Sequence, residues 1–445
     1  MGRRLFGTDG VRGPVGEVLT PELVLALGKA ATTGLRAARP QVLVIRDTRE
    51  SGEMLEAAVA AGIAAGGGRA LLGGVLPTPA APLLISRHGL DLGVVISASH
   101  NPFADNGVKF FAADGDKLSD EAEAEIEALL DAGSPSAAQP GRVTAMHGTL
   151  EDYLRALHER FQGLDLAGRR ILLDCANGAT FRAAPEIFRR LGASIEAIAA
   201  SPDGRNINEG CGSTHVEVLA AATAAGDFDA GFAFDGDGDR VLAADRDGAV
   251  VDGDEILALG ALHLRDTGRL SGNGVAVTVM ANYGFHSAMD AAGIEVATTA
   301  VGDRYVLEAL RGRGWTFGGE QSGHVIELGF APSGDGIATA LLTLEALGDR
   351  DLADRGGMEK LPQRLVGVRV RDRGALASAG PLQEAIAAES AALEGRGRVL
   401  VRPSGTEPLV RVMVEAPTDA EAGEVCDRLA GLVEESLGAS AGPDR

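Results

Sequence analysis

Cysteine is scarce in this chain, with three residues among 445, and no apolar run is long enough to span a membrane. The spacing of the cysteines matches no metal or redox motif, which excludes a disulfide framework and indicates reduced, mostly buried thiols. The opening Met1-Gly2-Arg3-Arg4 leads into polar, glycine-rich sequence rather than the apolar centre of a signal peptide. We therefore expect a soluble, cytoplasmic protein with no membrane partner. The cysteines are Cys175, Cys211 and Cys426.

Positive charge is also scarce. The chain has 41 lysines and arginines but 63 aspartates and glutamates, which gives a formal net charge of -22. Only four of these basic residues are lysines, and such a charge excludes nucleic acid and anionic membranes as partners. A phosphorylated substrate would be repelled at long range too, so a phosphate site must gather arginine and lysine locally. The length predicts about three or four domains.

The most informative sequence that is present is Asp235-Gly236-Asp237-Gly238-Asp239-Arg240, directly after the apolar segment Ala230–Phe234. Alternate residues of an extended chain point to the same side, so we expect the three carboxylates to converge on one point. Converging carboxylates repel one another unless a cation lies between them. A hard divalent cation suits them, and Mg²⁺ suits them best where a substrate phosphate completes its ligand shell.

An EF-hand loop and a polar turn without metal are the two alternatives for this acidic run. An EF-hand loop needs glycine at its sixth position and glutamate at its twelfth, whereas this run has Arg240 and Arg246 there, which excludes it. A polar turn without metal remains an alternative, since Asp-Gly pairs favour turns. Arg240 weakens that alternative, because a guanidinium beside a metal commonly clamps phosphate oxygens.

Strand and helix patterns alternate along most of the chain, which predicts α/β domains whose strands are covered by helices. Beyond residue 365 the order changes to strand, helix, two strands and helix, which predicts a separate α+β domain. The predicted linkers are Ala132–Gly141 and Leu347–Gly357, with a further break near Val250–Gly253. The expected domains are residues 1–141, 142–252, 253–360 and 361–445. The strand-like segments are Gln41–Ile45, Leu92–Ile96, Ile171–Leu173, Ala230–Phe234 and Val275–Met280.

Two hydroxyl- and lysine-bearing motifs follow the strand Leu92–Ile96. Ser97-Ala98-Ser99-His100-Asn101-Pro102 places a serine beyond the carboxyl end of a strand, where open α/β sheets carry functional groups. A serine hydrolase is disfavoured, because no nucleophile elbow is present and adjacent residues of a strand point apart. A simple hydroxyl-lined turn remains an alternative. Lys109 lies between apolar neighbours and is either a snorkelling surface lysine or a desolvated cation near phosphate.

Three further loops carry groups that suit a sugar phosphate. Gly318–His324 offers an acceptor, a hydroxyl and an imidazole at alternate positions, as sugar hydroxyls require. Arg402–Pro408 supplies a guanidinium, two hydroxyls and a glycine turn able to line an anion site, and Arg411 follows at a spacing that could return to it. Gly7–Gly13 brings Arg12 next to flexible glycines.

The joint occurrence of these motifs, in this order, resembles the α-D-phosphohexomutase superfamily from Phe6 to about Leu437. The resemblance implies three similar α/β mixed-sheet domains plus a C-terminal α+β domain around a central active-site cleft. It also implies a phosphoserine at Ser99 and one Mg²⁺ per chain. The implied metal ligands are Ser99, Asp235, Asp237 and Asp239. The implied catalytic residues are Ser99, Lys109, Arg12, Arg240 and His324. The implied substrate-binding residues are Glu320, Ser322, His324, Arg402, Ser404, Gly405, Thr406 and Arg411.

Three details resemble the bacterial branch of that superfamily that acts on glucosamine phosphates: the opening Phe6–Gly13, Gln321 in the sugar loop, and the segment Val301–Val306. The implied reaction interconverts glucosamine 6-phosphate and glucosamine 1-phosphate through a 1,6-bisphosphate, on the route to UDP-N-acetylglucosamine. A kinase or a bisphosphate would have to phosphorylate Ser99, and assembly as a homodimer is left open. The alternatives are a mutase for glucose or mannose phosphates, a Mg²⁺-dependent phosphatase and a non-catalytic sugar-phosphate binding protein.

Overall fold

The computed structural model describes residues 5–7, 9–134, 136–404 and 407–438, and strands and helices alternate through them as predicted. The first sheet has six strands in the order β1-β5-β4-β2-β3-β6. Strands β2, β3, β4 and β6 are parallel, and β5 and β1 complete the sheet in antiparallel pairings. Its elements are β1 (Val11–Pro14), α1 (Pro21–Thr33), β2 (Gln41–Arg46), α2 (Gly52–Ala65), β3 (Arg69–Val75), α3 (Ala80–His88), β4 (Leu92–Ile96), β5 (Asp105–Ala112), α4 (Asp120–Asp131) and β6 (Arg142–Ala145).

The second sheet has five strands in the order β11-β10-β9-β7-β8. Strand β9 is parallel to β7 and antiparallel to β10, so the chain reverses between Phe234 and Val241. The acidic run is therefore the turn of a hairpin, with Gly238 at a φ of 75°, and not the extended chain on which the predicted convergence rested. The elements are α5 (Thr149–Arg160), β7 (Arg170–Asp174), α6 (Ala183–Arg190), β8 (Ser194–Ile198), α7 (Val216–Ala225), β9 (Ala230–Phe234), β10 (Val241–Asp245) and β11 (Val250–Val251).

The third sheet has four strands in the order β13-β12-β14-β15. Strands β13 and β14 flank β12 in parallel, and β15 runs antiparallel to β14. The turn between β14 and β15 carries Glu320–His324, which we call the sugar hairpin after the role that the resemblance implies for it. The elements are α8 (Gly253–Asp266), β12 (Gly274–Thr278), α9 (Tyr283–Ala291), β13 (Glu295–Thr299), α10 (Asp303–Arg313), β14 (Phe317–Gly319), β15 (Val325–Glu327) and α11 (Gly336–Leu347).

The last segment is an antiparallel sheet in the order β16-β18-β17 with helices that pack against it, which confirms the predicted change to α+β order. Strands β17 and β18 place Arg402 opposite Arg411. The elements are β16 (Gln363–Arg369), α12 (Gly380–Ala392), β17 (Arg398–Pro403), β18 (Leu409–Glu415) and α13 (Asp419–Leu437).

By its internal packing the chain forms two units. The N-terminal unit holds the described residues up to Met280 together with Glu295–Arg355, and the C-terminal unit holds Ala281–Ile294 and the described residues from Gly356 onward. Helix α9 joins the C-terminal unit because the Tyr283 amide donates to the Glu415 carboxylate at 2.7 Å. The boundaries of the four expected domains stay a prediction.

Two of the four helix starts predicted from the sequence have the expected caps. Thr20 caps α1 with proline at its first turn, and Asp252 and Glu255 form the expected capping box of α8. The capping box predicted at Thr149 is wrong, because Gly148 is the N-cap and the Thr149 hydroxyl donates to the Gly73 carbonyl at 2.9 Å. The box predicted at the start of α13 is half formed. Thr418 accepts from the Glu421 amide at 3.2 Å, and the Glu421 carboxylate accepts from Arg396 instead.

Candidate active site

Ser99 lies on the turn that follows β4, buried and at a φ of 53°, a left-handed conformation unusual for a serine. Its amide donates to Ser97 Oγ at 3.0 Å, and its carbonyl accepts from Arg49 Nη2 and Asn208 Nδ2, both at 2.9 Å. Its hydroxyl donates to Asp235 Oδ2 at 2.5 Å. The turn therefore points the Ser99 hydroxyl at the acidic hairpin.

A fully buried ion pair, which the sequence analysis missed, supports this turn. Arg49 Nε donates to Asp47 Oδ2 at 2.9 Å, and both side chains have no exposed surface. The Ser97 hydroxyl also donates to Asp47, at 2.6 Å, and Arg49 Nη2 also donates to the Asn101 carbonyl, at 2.8 Å. Burial raises the pKa of Asp47, although Arg49 and Ser97 oppose the rise. The sequence could have indicated this ion pair only through the position of Asp47. That residue follows β2, whose carboxyl end lies beside the carboxyl end of β4.

The acidic hairpin brings together the three predicted metal ligands, Asp235, Asp237 and Asp239. All three are buried, and one oxygen from each lies within 4.8 Å of the others. Oδ1 of Asp237 and Oδ1 of Asp239 have no hydrogen-bond partner within the described part of the chain. Burial raises the pKa of Asp235 well above its ordinary value, and the two neighbouring carboxylates raise it further. Carboxylate oxygens that accept no hydrogen bond and lie this close together suit a hard divalent cation.

Lys109 is completely buried, which excludes the snorkelling interpretation. Its Nζ lies 2.7 Å from Asp237 Oδ2 and 3.0 Å from Asp9 Oδ2. Burial lowers the pKa of Lys109, and Asp237 opposes that change. Arg12 also pairs with Asp9, so the opening loop contributes to the same cluster. The lysine is thus a desolvated cation beside the acidic hairpin.

His100 and Arg240 lie next to the Ser99 hydroxyl. The Arg240 amide donates to Asp235 Oδ1 at 3.2 Å, and its Nη1 lies 3.4 Å from His100 Nδ1. His100 Nδ1 is also 3.3 Å from Ser99 Oγ, so the expectation that adjacent side chains point apart fails on this turn. Burial lowers the pKa of His100, and the cations Arg240 and Arg12 lower it further. A neutral His100 accepts a hydrogen bond at Nδ1 from the Arg240 guanidinium, which holds Arg240 beside the serine.

In the sugar hairpin, Glu320 and His324 have fixed orientations. Glu320 Oε1 accepts from the Gly302 amide at 3.1 Å, and His324 Nε2 accepts from the Gly334 amide at 3.2 Å. The His324 proton therefore lies on Nδ1, which is buried and has no partner among the described residues. Ser322 lies at the exposed tip of the hairpin. The hairpin offers one free donor and one carboxylate.

A chain of alternating charges, which was not predicted, extends from the acidic hairpin to Asp303 beside the sugar hairpin. From Lys109 it continues through Asp9 to Lys117, whose Nζ is 2.5 Å from Asp9 Oδ1 and also contacts Asp303. Asp303 Oδ2 then lies 3.8 Å from His324 Nε2. The sequence could have indicated these contacts through the scarcity of lysine, since two of the four lysines of the protein, Lys109 and Lys117, belong to this set of alternating charges.

The predicted phosphate loop belongs to the C-terminal unit. Arg402 and Arg411 are cross-strand partners, and burial followed by repulsion from Arg411 lowers the pKa of Arg402. Ser404 is buried, and its carbonyl accepts from Arg373 Nη1 at 2.7 Å. Two guanidiniums on adjacent strands favour an anion between them. The other two predicted residues of this loop, Gly405 and Thr406, lie outside the described residues.

Family models for the four domains of phosphoglucomutase/phosphomannomutase match this chain in order. The alpha/beta/alpha domains I, II and III match residues 3–136, 151–248 and 252–360, and the C-terminal domain matches residues 365–432. The chain belongs to the phosphoglucomutase/phosphomannomutase family. A curated relative, the phosphoglucosamine mutase of Moorella thermoacetica, is 50% identical over 439 residues and covers 96% of this chain and 98% of its own. These relations identify an isomerase of the mutase type.

Solved structures agree with this fold. A phosphoglucomutase/phosphomannomutase family protein from Burkholderia thailandensis matches with a TM-score of 0.82 at 24% identity, over 98% of this chain and 99% of its own. The N-acetylphosphoglucosamine mutase of Aspergillus fumigatus, solved with GlcNAc-6P and magnesium, matches with a TM-score of 0.69 at 20% identity, over 97% of this chain and 96% of its own. Among the described helices, none combines the length and apolarity needed to cross a membrane.

Proposed function

We propose that this mutase interconverts glucosamine 6-phosphate and glucosamine 1-phosphate, through a phosphoserine at Ser99 and a 1,6-bisphosphate, on the route to UDP-N-acetylglucosamine. One observation carries the proposal: the Ser99 hydroxyl lies 2.5 Å from Asp235, which is one of the three buried carboxylates of the acidic hairpin. Full-length identity of 50% to a phosphoglucosamine mutase supports the choice of sugar.

The metal proposed for the acidic hairpin is one Mg²⁺, held by Asp235, Asp237, Asp239 and the phosphoryl group of Ser99. The Oδ1 atoms of Asp237 and Asp239, which accept no hydrogen bond from the described residues, support this ligand set. When bound, the ion would neutralise charge on the phosphoryl group as it transfers.

The residues around Ser99 are proposed to position the phosphoryl group and to move one proton. Arg240 and Arg12 supply guanidiniums for phosphoryl oxygens. Lys109 Nζ is proposed to assist proton transfer with the attacking sugar hydroxyl, because burial favours its neutral form. Phosphoryl transfer depends mainly on such positioning and charge neutralisation.

The substrate is proposed to be held at two places. Glu320, Ser322 and His324 bind sugar hydroxyls, and the free His324 Nδ1 proton supports a donor role. The phosphate that is not transferring is gripped by the loop containing Arg402, Ser404, Gly405, Thr406 and Arg411. The bisphosphate must then turn over so that its other phosphate faces Ser99.

The proposed setting is the cytoplasm, where the three free cysteines would stay reduced. The phosphoryl group that first activates Ser99 would come from a kinase or from a sugar bisphosphate. Assembly as a homodimer stays a prediction.

Steady-state kinetics on the 1-phosphates of glucosamine, glucose and mannose test the choice of substrate. The proposal expects the highest kcat/KM on glucosamine 1-phosphate, and a preference for glucose or mannose 1-phosphate would contradict it. Release of inorganic phosphate at the rate of substrate loss would identify a phosphatase instead.

A further inference from the structure

The segment Val301–Val306 lies directly beside the sugar hairpin. The Gly302 amide donates to Glu320, and Asp303, the first residue of α10, places Oδ2 at 3.8 Å from His324 Nε2. This contact brings one more carboxylate to the place proposed to receive the sugar.

Asp303 also faces a cavity of about 370 Å³ within the N-terminal unit. That volume lies in the usual range for small-ligand sites, about 300–1,000 Å³. The side chain of Asp303 is 19% exposed, so a ligand can reach it. Polar residues that line the cavity include Asp116, Lys117, Asp303, Arg304, His324 and Ser333.

The carboxylate of Asp303 has capacity for one more cation. Its Oδ1 accepts from the Arg304 amide at 2.8 Å, and its Oδ2 faces the Lys117 ammonium. A carboxylate accepts about four hydrogen bonds, so each oxygen of Asp303 can still accept another hydrogen bond. Burial raises the pKa of Asp303, but Lys117 outweighs that effect and the net pKa is below the ordinary value, which keeps the group anionic.

Two neighbouring carboxylates are engaged by cations. Asp9 contacts three of them, Arg12, Lys109 and Lys117. On the rim of the cavity, Asp116 pairs with Arg311. Asp303 lies both in the cavity and beside the sugar hairpin, where it can meet a cationic substituent of the sugar.

We propose that Asp303 binds the ammonium group on carbon 2 of the amino sugar and so selects glucosamine phosphates over neutral hexose phosphates. This inference rests on the proposed function. Glucosamine differs from glucose by an ammonium in place of one hydroxyl. A carboxylate accepts a hydrogen bond from either group but forms an ion pair only with the ammonium.

The test compares kcat/KM for glucosamine 1-phosphate and glucose 1-phosphate in the wild type and in Asp303→Asn. The ratio of kcat/KM for glucosamine 1-phosphate to kcat/KM for glucose 1-phosphate should fall at least about tenfold in Asp303→Asn, because the ion pair with the ammonium is lost. Asp303→Glu, which keeps the charge, should recover part of the ratio. Asp116→Asn, which changes a carboxylate of the same cavity paired with Arg311, should leave the ratio unchanged.

An equal loss of kcat/KM on both sugars in Asp303→Asn, or an unchanged ratio, would overturn the inference. A wild type that does not prefer glucosamine 1-phosphate would instead contradict the proposed function.

Discussion

The two carboxylate oxygens of Asp237 have different surroundings. Oδ2 accepts from the Lys109 ammonium and from the Thr78 hydroxyl, both at 2.7 Å, whereas Oδ1 has no partner within the described chain. Lys109 holds the pKa of Asp237 below its ordinary range, even though burial acts in the opposite direction. The residue is thus fixed as an anion with one oxygen left for a cation.

Replacing this anion tests the metal site at the residue scale. Asp237→Asn should weaken Mg²⁺ binding and lower kcat by a factor of about a hundred or more, because a mispositioned cation no longer neutralises the phosphoryl group. Mg²⁺ titration of activity measures both effects. Asp247→Asn, at an exposed carboxylate beyond the next strand, is the matched control and should behave as the wild type. Full wild-type activity in metal-free buffer would contradict the assignment.

At the scale of elements, the turn after β4 depends on a charge pair from the end of β2. Arg49 donates to four carbonyls of residues 99–105, so the guanidinium shapes the turn that carries Ser99. Because Asp47 and Arg49 are wholly buried, removal of one partner leaves an uncompensated charge.

Arg49→Met should therefore lower the free energy of unfolding by about 3–5 kcal/mol, the usual cost of breaking a buried pair. Denaturant unfolding measures it, and activity should fall as well. Glu50→Gln breaks the neighbouring exposed pair with Arg205 and should cost no more than about 1 kcal/mol. Equal effects of the two variants would show that burial of the pair does not matter.

Helix α9 carries a pH-dependent contribution within the C-terminal unit. Burial, together with Arg398, lowers the pKa of His286 to about 4. The unfolded chain, with a histidine pKa of about 6.5, binds this proton more tightly. Stability from His286 is therefore full above pH 6.5 and is lost as the pH falls toward 4.

Between pH 7 and pH 5 the wild type should lose about 1 kcal/mol more stability than His286→Asn, a value halved for solvent screening at this half-buried site. Melting temperatures of the two proteins across that range measure the difference. Parallel pH profiles would contradict this prediction, because they would show that folding does not change the pKa of His286.

Elements with strong local patterns could be predicted from the sequence, and long-range contacts could not. Strands β4 and β9 match their predicted bounds because each is a continuous apolar run between turn residues. The three carboxylates converge as expected, although through a hairpin turn. The Asp47–Arg49 support and the Lys117–Asp303 contact depend on strand order and on pairing across 186 residues, which no local pattern encodes.

At the scale of the whole molecule, a net charge of -22 confines phosphate binding to places where cations gather. Arg402 and Arg411 form such a place in the C-terminal unit. The phosphate that is not transferring should use it for both monophosphates and for the bisphosphate, because only the reacting end of the sugar changes.

Arg402→Ala should weaken binding of all three sugar phosphates by about 1.5–3 kcal/mol, the range for hydrogen bonds to charged groups. It should also increase escape of the bisphosphate during turnover. Affinities for both isomers and bisphosphate trapped in solution measure these effects. Arg428→Ala, at an exposed arginine of α13 paired with Glu389, should change neither. An effect on one isomer alone would contradict the assignment.

The account as a whole depends on a phosphoryl group that passes between Ser99 and the sugar. The direct measurement is intact-mass and peptide mass spectrometry of the protein after incubation with glucosamine 1,6-bisphosphate, and again after addition of glucosamine 6-phosphate. We predict one added phosphoryl group on Ser99 that returns to the sugar as bisphosphate, and none in Ser99→Ala, which should fold normally and lose most of its activity. Phosphorylation at another residue, or near-normal turnover by Ser99→Ala, would contradict the account.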